Sequence, residues 1–234
     1  MGKIYQALTA EHEAFILKQP VYFVASAPLS ASGHVNLSPK GLDTLRILDA
    51  STVTYLDLTG SGNETAAHVT ENGRLTLMFC AFDGNPKILR LYCRGRIITR
   101  GSHEWQAAVS RFPQHVGIRQ VVVAAIESTQ TSCGFGVPLM SFVAQRDQLP
   151  RWSESKGDAG LIEYRRTRNA ISLDGLLFTR LAGRGGVRAP VVDPLPAAVG
   201  LLLPDGEVVA LALPADLHRA GGKAEIPGLS DACP

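Results

Sequence analysis

Leu75-Thr76-Leu77-Met78-Phe79-Cys80-Ala81-Phe82-Asp83-Gly84-Asn85-Pro86-Lys87-Ile88-Leu89-Arg90-Leu91-Tyr92-Cys93-Arg94-Gly95-Arg96-Ile97-Ile98 is the stretch on which the fold turns. Its two apolar runs, 75–82 and 88–98, are rich in residues that suit a pleated surface. Between them Asp83-Gly84-Asn85-Pro86 has the composition of a reverse turn. A connection that short leaves the two strands antiparallel. Arg90, Tyr92 and Arg94 alternate along the second run and share one face, which reads either as the wet outer side of a barrel strand or as ligand-facing.

Further strands extend the pattern in both directions. Thr52 to Leu58 is a strand candidate, Val21 to Ala25 another, and Pro28 to Gly33 reads as a turn leading into His34 to Ser38. Downstream, Gln120 to Glu127 carries Val121-Val122-Val123. Helices are few. Thr9 is placed to cap one that contains Phe15, Ile16 and Leu17 and stops at Gln19-Pro20, and residues 146–168 look helical with Leu161, Ile162 and Tyr164 on one side. The expected fold is mainly β with peripheral helices: about six antiparallel strands in a small closed or nearly closed barrel, because closure removes exposed edges.

Composition narrows the function. With 23 Lys plus Arg against 21 Asp plus Glu the formal charge is only +2, too little to argue for a nucleic-acid or polyanion partner. No apolar run approaches the roughly 18 residues a membrane span needs. The opening Met1-Gly2-Lys3-Ile4-Tyr5 lacks a long apolar core, so the expected location is cytoplasmic. Cys80, Cys93, Cys133 and Cys233 form no Cys-x-x-Cys pair, and the six histidines show no metal-ligand spacing, so no metal site is expected. Composition shifts near Gly175. Seven of the 14 prolines lie beyond it and the last aromatic residue is Phe178, which suggests a core domain over 1–175 and a Pro/Gly/Ala-rich extension over 176–234. That extension reads as poorly ordered, with a hairpin of Leu201 to Leu203 and Val208 to Leu213 about Pro204-Asp205-Gly206 as the structured alternative.

Four segments carry chemistry. In Leu58-Thr59-Gly60-Ser61-Gly62-Asn63-Glu64-Thr65 a strand ends in a glycine-rich turn before a short helix. Such a turn presents backbone amides to an anion, with Ser61, Asn63 and Thr65 adding donors, and a phosphate suits it. Ser61 or Asn63 capping the helix, with Ser61 and Glu64 as a capping box, accounts for the same residues without a ligand. The run lacks the Lys-Ser/Thr ending of a P-loop and the third glycine of a dinucleotide fingerprint. In Val35-Asn36-Leu37-Ser38-Pro39-Lys40, alternation puts Asn36, Ser38 and Lys40 on one face, suited to a heterocycle and a phosphate or to a solvated strand end. Arg90 is the third element, and Gln130-Thr131-Ser132, ahead of Cys133-Gly134, is the fourth. No base is signalled for a Cys133 nucleophile, Gly-x-Ser-x-Gly is absent, and no acid/base carboxylate pair stands out.

In this order the four segments resemble the pyridoxamine 5'-phosphate oxidase-like family of flavin-binding split β-barrels, over roughly residues 1–175. The resemblance implies a homodimer that binds FMN at its subunit interface and acts as an oxidase or reductase on a small-molecule substrate. It places Val35, Asn36, Leu37, Ser38 and Lys40 on the first flavin-contacting strand, Leu58 and Thr59 on the second, and Ser61, Asn63 and Thr65 in the phosphate turn. Arg90 and Gln130, Thr131 and Ser132 take further flavin contacts. The chain departs from the oxidases proper at Glu64-Thr65, where they place a basic pair, so the phosphate's cation must be Lys40 or an arginine elsewhere. Their substrate-handling C-terminal signature is not evident in 152–169 either, so the substrate is not expected to be pyridoxamine phosphate. Two variants of the same barrel remain: a reductase using the deazaflavin F420, and a non-catalytic flavin- or haem-binding module.

Overall fold

The computed structural model describes residues 2–178, 199–202 and 208–211. The chain divides into two units, residues 1–183 and 184–234. In the first, β1 (Ile4–Tyr5) precedes α1 (Ala10–Lys18), and Thr9 caps α1 as expected. The Thr9 hydroxyl accepts from the His12 amide at 3.2 Å while the His12 ring accepts from the Thr9 amide at 3.3 Å.

Seven longer strands follow: β2 (Tyr22–Ser26), β3 (Asn36–Lys40), β4 (Leu45–Asp49), β5 (Thr52–Leu58), β6 (Arg74–Cys80), β7 (Ile88–Thr99) and β8 (Ile118–Ser132). They hydrogen-bond in the order β3-β2-β6-β7-β8-β5-β4, with β1 also on β8, and every pairing is antiparallel. The two ends of this path, β3 and β4, are consecutive in the chain but do not pair, so the barrel is split between them. Eight strands stand where about six were expected. The additions are β1, only two residues long, and β4, whose Leu45-Arg46-Ile47-Leu48-Asp49 does not alternate cleanly.

The alternation of β5 shows why it is central. Val53 and Tyr55 enter the main core with Val24, Leu77, Leu89, Leu91 and Val122, whereas Leu56 enters a second core with Ile98, Trp105, Phe112 and Val121. Both faces of the strand are covered, so nearly every residue in it is buried. The short α3 (Trp105–Val109) supplies the lid of the second core through Trp105.

The strand–turn–helix after β5 is held by close packing. Helix α2 (Glu64–Asn72) ends at Gly73, which sits at φ +72° and returns its amide to the Val69 carbonyl. The helix lies so near β7 that a Cβ on Gly95 would come within 3.1 Å of both Val69 methyl groups. Helix α4 (Gln148–Arg168) is broken at Gly157, whose φ of 62° and ψ of 173° are non-helical, and Trp152 meets Tyr164 edge-on across the break with ring centroids 5.0 Å apart. In the second unit β9 (Val199–Leu202) and β10 (Val208–Leu211) form an antiparallel pair with Leu202 opposite Val208, the hairpin alternative for that stretch. The expectation of poor order across the rest of 179–234 lies outside the described residues.

Candidate functional site

Strand β3, the end of β5 and the turn into α2 enclose a cleft of about 520 Å3, inside the range of small-molecule sites. Asn36, Ser38 and Lys40 line it from β3, as the alternation of that strand required, and Leu58, Ser61, Asn63 and Thr65 line it from the turn. Two segments more than 15 residues apart in sequence therefore share one cleft. A direct contact joins them, since the Asn36 side-chain amide donates to the Thr65 hydroxyl at 2.9 Å and the Ser38 hydroxyl to the Asn36 Oδ1 at 3.3 Å.

Other expected site residues stand elsewhere. Val35 precedes β3 and Leu37 faces the other way, both exposed. Thr59 is fully buried and bonded within the chain, its hydroxyl donating to the Gly117 carbonyl at 2.8 Å and accepting from Arg165 at 2.8 Å. Arg90, Gln130 and Ser132 come together on β7 and β8 away from the cleft: Arg90 pairs in register with Gln130 and donates to the Ser132 hydroxyl at 3.1 Å. Tyr92 donates to Gln130 at 2.9 Å, and the Thr131 amide donates to the Lys3 carbonyl at 2.9 Å.

The side-chain cap that Ser61 or Asn63 could supply to α2 is absent. Asn63 occupies the N-cap of α2, but its side chain makes no capping bond. Instead Asn63 is buried and its Oδ1 accepts from the Gln120 side chain at 2.9 Å. Glu64 is drawn off as well, accepting the Leu173 amide at 2.9 Å. The amides that open α2, at Glu64, Thr65 and Ala66, are therefore left without a side-chain cap, and the first-turn amides of a helix have no partner within it. Gly60 lines the cleft at an ordinary φ, and among the described residues a Cβ there would meet no atom within 4 Å. Nothing in the chain's own packing calls for glycine at 60, whereas close approach of a ligand would.

The electrostatic centre of the cleft is Asp57, which sequence reading passed over. Only 3% exposed, it accepts from Lys40 at 2.8 Å, from Arg119 at 2.7 and 3.1 Å, and from Gln120 at 2.7 Å. Burial alone would raise its pKa, but the charges and hydrogen bonds of Arg119 and Lys40 outweigh it and hold the carboxyl well below the usual carboxylate range. Asp57 stays ionised at any physiological pH and moves no proton. Lys40 and Arg119 both pair with Asp57, and with Glu64 also in the lining the formal charges of the cleft wall balance. Arg119 also donates to the Gly62 carbonyl and to Asn169, each at 2.8 Å, and so fixes the turn to α4. Its role has no local signal in Gly117-Ile118-Arg119-Gln120, because its partners are about 50 or more residues away.

Burial raises Tyr22 and Tyr55 above the usual phenol range, and the Tyr22 hydroxyl pairs with Thr44 at 2.9 Å. Among the described residues no group of three His, Cys, Asp or Glu is placed to hold a metal ion, and no helix is long and apolar enough to cross a membrane.

Residues 8–133 match the family model described as pyridoxamine 5'-phosphate oxidase. A protein of Aspergillus flavus, the pyridoxamine 5'-phosphate oxidase family protein ustO, is 40% identical over 193 residues, covering 75% of this chain and 77% of that protein. Among solved structures, HupZ from Group A Streptococcus aligns with 23% identity and a TM-score of 0.40, over 51% of this chain and 90% of that one. An FMN-binding protein from Syntrophomonas wolfei aligns with 12% identity and a TM-score of 0.35, over 56% and 83%. On the matched core and the 40% identity, this chain belongs to the pyridoxamine 5'-phosphate oxidase family.

Proposed function

We propose that the chain binds FMN in the cleft between β3 and the β5–α2 turn and works as a flavin-dependent oxidoreductase. The observation that carries this reading is the convergence of Asn36, Ser38 and Lys40 with the Ser61–Thr65 turn on one cleft. The residues present fit a phosphate-bearing ligand. The opening amides of α2 lack a side-chain cap, Gly60 leaves room for close approach, and Lys40 and Arg119 put two cations in a wall whose carboxylates are Asp57 and Glu64. The missing basic pair at 64–65 is thereby replaced by cations from β3 and β8.

A bound flavin supplies the electron transfer; the protein's part is binding, orientation and electrostatics. Asn36, anchored on Thr65 and holding Ser38, offers a fixed set of hydrogen-bonding groups toward a heterocycle. Lys40, tethered to Asp57 and 5.5 Å from the centre of the Tyr55 ring, has little freedom to leave the wall.

The reading includes a homodimer. Strand β3 ends the sheet path, and Val35 just before it and Leu37 within it are exposed, at 73% and 60%. Such an edge calls for cover. In a two-fold pair, Arg90, Gln130 and Ser132 would complete the cleft of the other copy, which gives a use to polar groups remote from their own.

The test is the absorption spectrum of the purified protein, with the mass of any molecule released on denaturation, and the molar mass in solution. FMN absorbance that bleaches anaerobically with a reduced donor, in a dimer, supports the proposal. A Soret band, released F420, or a colourless protein that ignores added FMN overturns it.

A further inference from the structure

A second cavity, of about 400 Å3, shares Asn63 and Arg119 with the cleft but is otherwise walled by different residues. Among the described residues its lining includes Arg100, Arg119, Arg165 and Arg166 and no carboxylate. Two of these charges are already matched, Arg119 by Asp57 at 2.7 Å and Arg166 by Glu163 at 2.8 Å. The other two are not. Arg165 is 7% exposed and donates only to neutral oxygens, the Thr59 hydroxyl at 2.8 Å and the Ile118 and Gly117 carbonyls at 3.3 and 3.4 Å. Arg100 reaches the same Ile118 carbonyl at 3.4 Å. Among the described residues neither arginine forms a salt bridge. Two guanidinium groups thus converge on one carbonyl beside a cavity.

Burying a charge without a counter-charge is costly, and bringing a second like charge beside it costs more. Burial first, then the charges of Arg100 and Arg119, bring the Arg165 guanidinium down to about 10, with Asp158 as the carboxylate acting against them. An anion would offset that cost, and planar guanidinium forks suit a carboxylate in particular. Beside the polar Asn63, Thr99, Gln120 and Asn169, Ile162 and Phe178 supply apolar wall, which a hydrated inorganic ion would leave uncovered.

We infer that this cavity is a binding site for a small organic carboxylate, its head between Arg100 and Arg165 and its apolar body against Ile162 and Phe178. The site is separate from the flavin cleft but coupled to it, because Arg119 and Asn63 belong to both walls. A ligand that moves Arg119 moves the turn at Gly62.

The test is calorimetric titration of the 234-residue, flavin-free chain with hexanoate, hexanol and inorganic phosphate, so its outcome stands apart from the flavin reading. Saturable hexanoate binding is expected, with hexanol and phosphate each at least about tenfold weaker. Arg100→Gln, which removes a charge, and Ile162→Asp, which adds the opposite one to the apolar wall, should each weaken hexanoate by about tenfold or more. Both positions are exposed; Ile162→Asp should keep the wild-type melting temperature, and Arg100→Gln, which gives up the stacking of its guanidinium 5.4 Å from the centre of the Trp105 ring, should lower it by no more than about 4 °C. Hexanol binding as tightly as hexanoate removes the role of charge, and phosphate binding as tightly removes the apolar body. No hexanoate binding at millimolar concentration, or unchanged binding in both variants, overturns the site.

Discussion

Replacing Asp57 by Asn should be among the most damaging isosteric changes in this protein. The carboxylate is 3% exposed and takes four hydrogen bonds, three of them from Lys40 and Arg119, themselves only 17% and 9% exposed at the side chain. Asn offers one acceptor oxygen in place of two and turns an amide donor toward these cations. Breaking a buried ion pair from one side costs about 3–5 kcal/mol, because the remaining charge is left buried and unmatched. Against a total stability of about 10 kcal/mol this is a large fraction. With a urea dependence of about 2 kcal/mol per molar, the unfolding midpoint should fall by about 1.5 to 2.5 M.

The same residue gives the prediction a pH signature. The pKa of Asp57 is depressed in the folded state, so its contribution is fully present above the unfolded value of about 3.9 and is lost as pH falls through the folded value. Urea curves for the wild type and Asp57→Asn should therefore differ by a constant amount from pH 8 to about 5, then converge below about 4. A midpoint within 0.3 M of wild type at pH 7, or a gap that persists undiminished in acid, would refute the assignment of Asp57 as the counter-charge of both cations.

Other consequences follow from single contacts. Lys40→Ala should weaken FMN by about 5- to 150-fold, the equivalent of about 1–3 kcal/mol for a charge-assisted contact, with unchanged affinity in a fluorescence-quenching titration removing Lys40 from the anion site. Gly95→Ala places a methyl 3.1 Å from both Val69 methyl groups and should lower stability by about 1–3 kcal/mol, measured by thermal unfolding. Val69→Ala in the same chain should restore most of that loss; no restoration would mean that α2 does not rest on Gly95. Cys133 is exposed, whereas burial pushes the Cys93 thiol up to about 12 and raises Cys80 as well. Peptide mapping after brief alkylation of the folded protein at pH 8 should find Cys133 modified and Cys80 and Cys93 spared, and the reverse order would contradict the burial.

What could be read in the sequence was whatever is decided locally. Thr52–Leu58 has the same bounds in sequence and structure, the hairpin at 83–86 joins β6 to β7, and Thr9 caps α1 through bonds to a residue three positions away. The apolar pattern of β8 ends at Glu127, since Ser128 to Ser132 is polar, yet pairing with β7 and β1 carries the strand on to Ser132. The register shift between Tyr92 and Cys93 leaves Glu127 unpaired, a bulge that local pattern does not announce.

The candidate site divides along the same line. Period-two alternation placed Asn36, Ser38 and Lys40 on the cleft side and turned Leu37 outward. The side-chain cap of α2, one of the two readings its sequence allows, is absent because Asn63 is engaged by Gln120, 57 positions away, and Glu64 by Leu173, 109 positions away. Asp57 and Arg119 went unnoticed for the same reason, since an isolated acid in a strand and an isolated arginine after a glycine acquire meaning only when the barrel brings β5 and β8 side by side.

Titration of the flavin-free chain with FMN, followed by flavin fluorescence together with the molar mass of the complex, tests the central reading most directly. The account predicts saturable quenching with one FMN per chain in a dimer, weakened by Lys40→Ala and by a bulky Gly60→Val. Absence of quenching, or affinity that neither substitution alters, would contradict a flavin seated between β3 and the β5–α2 turn.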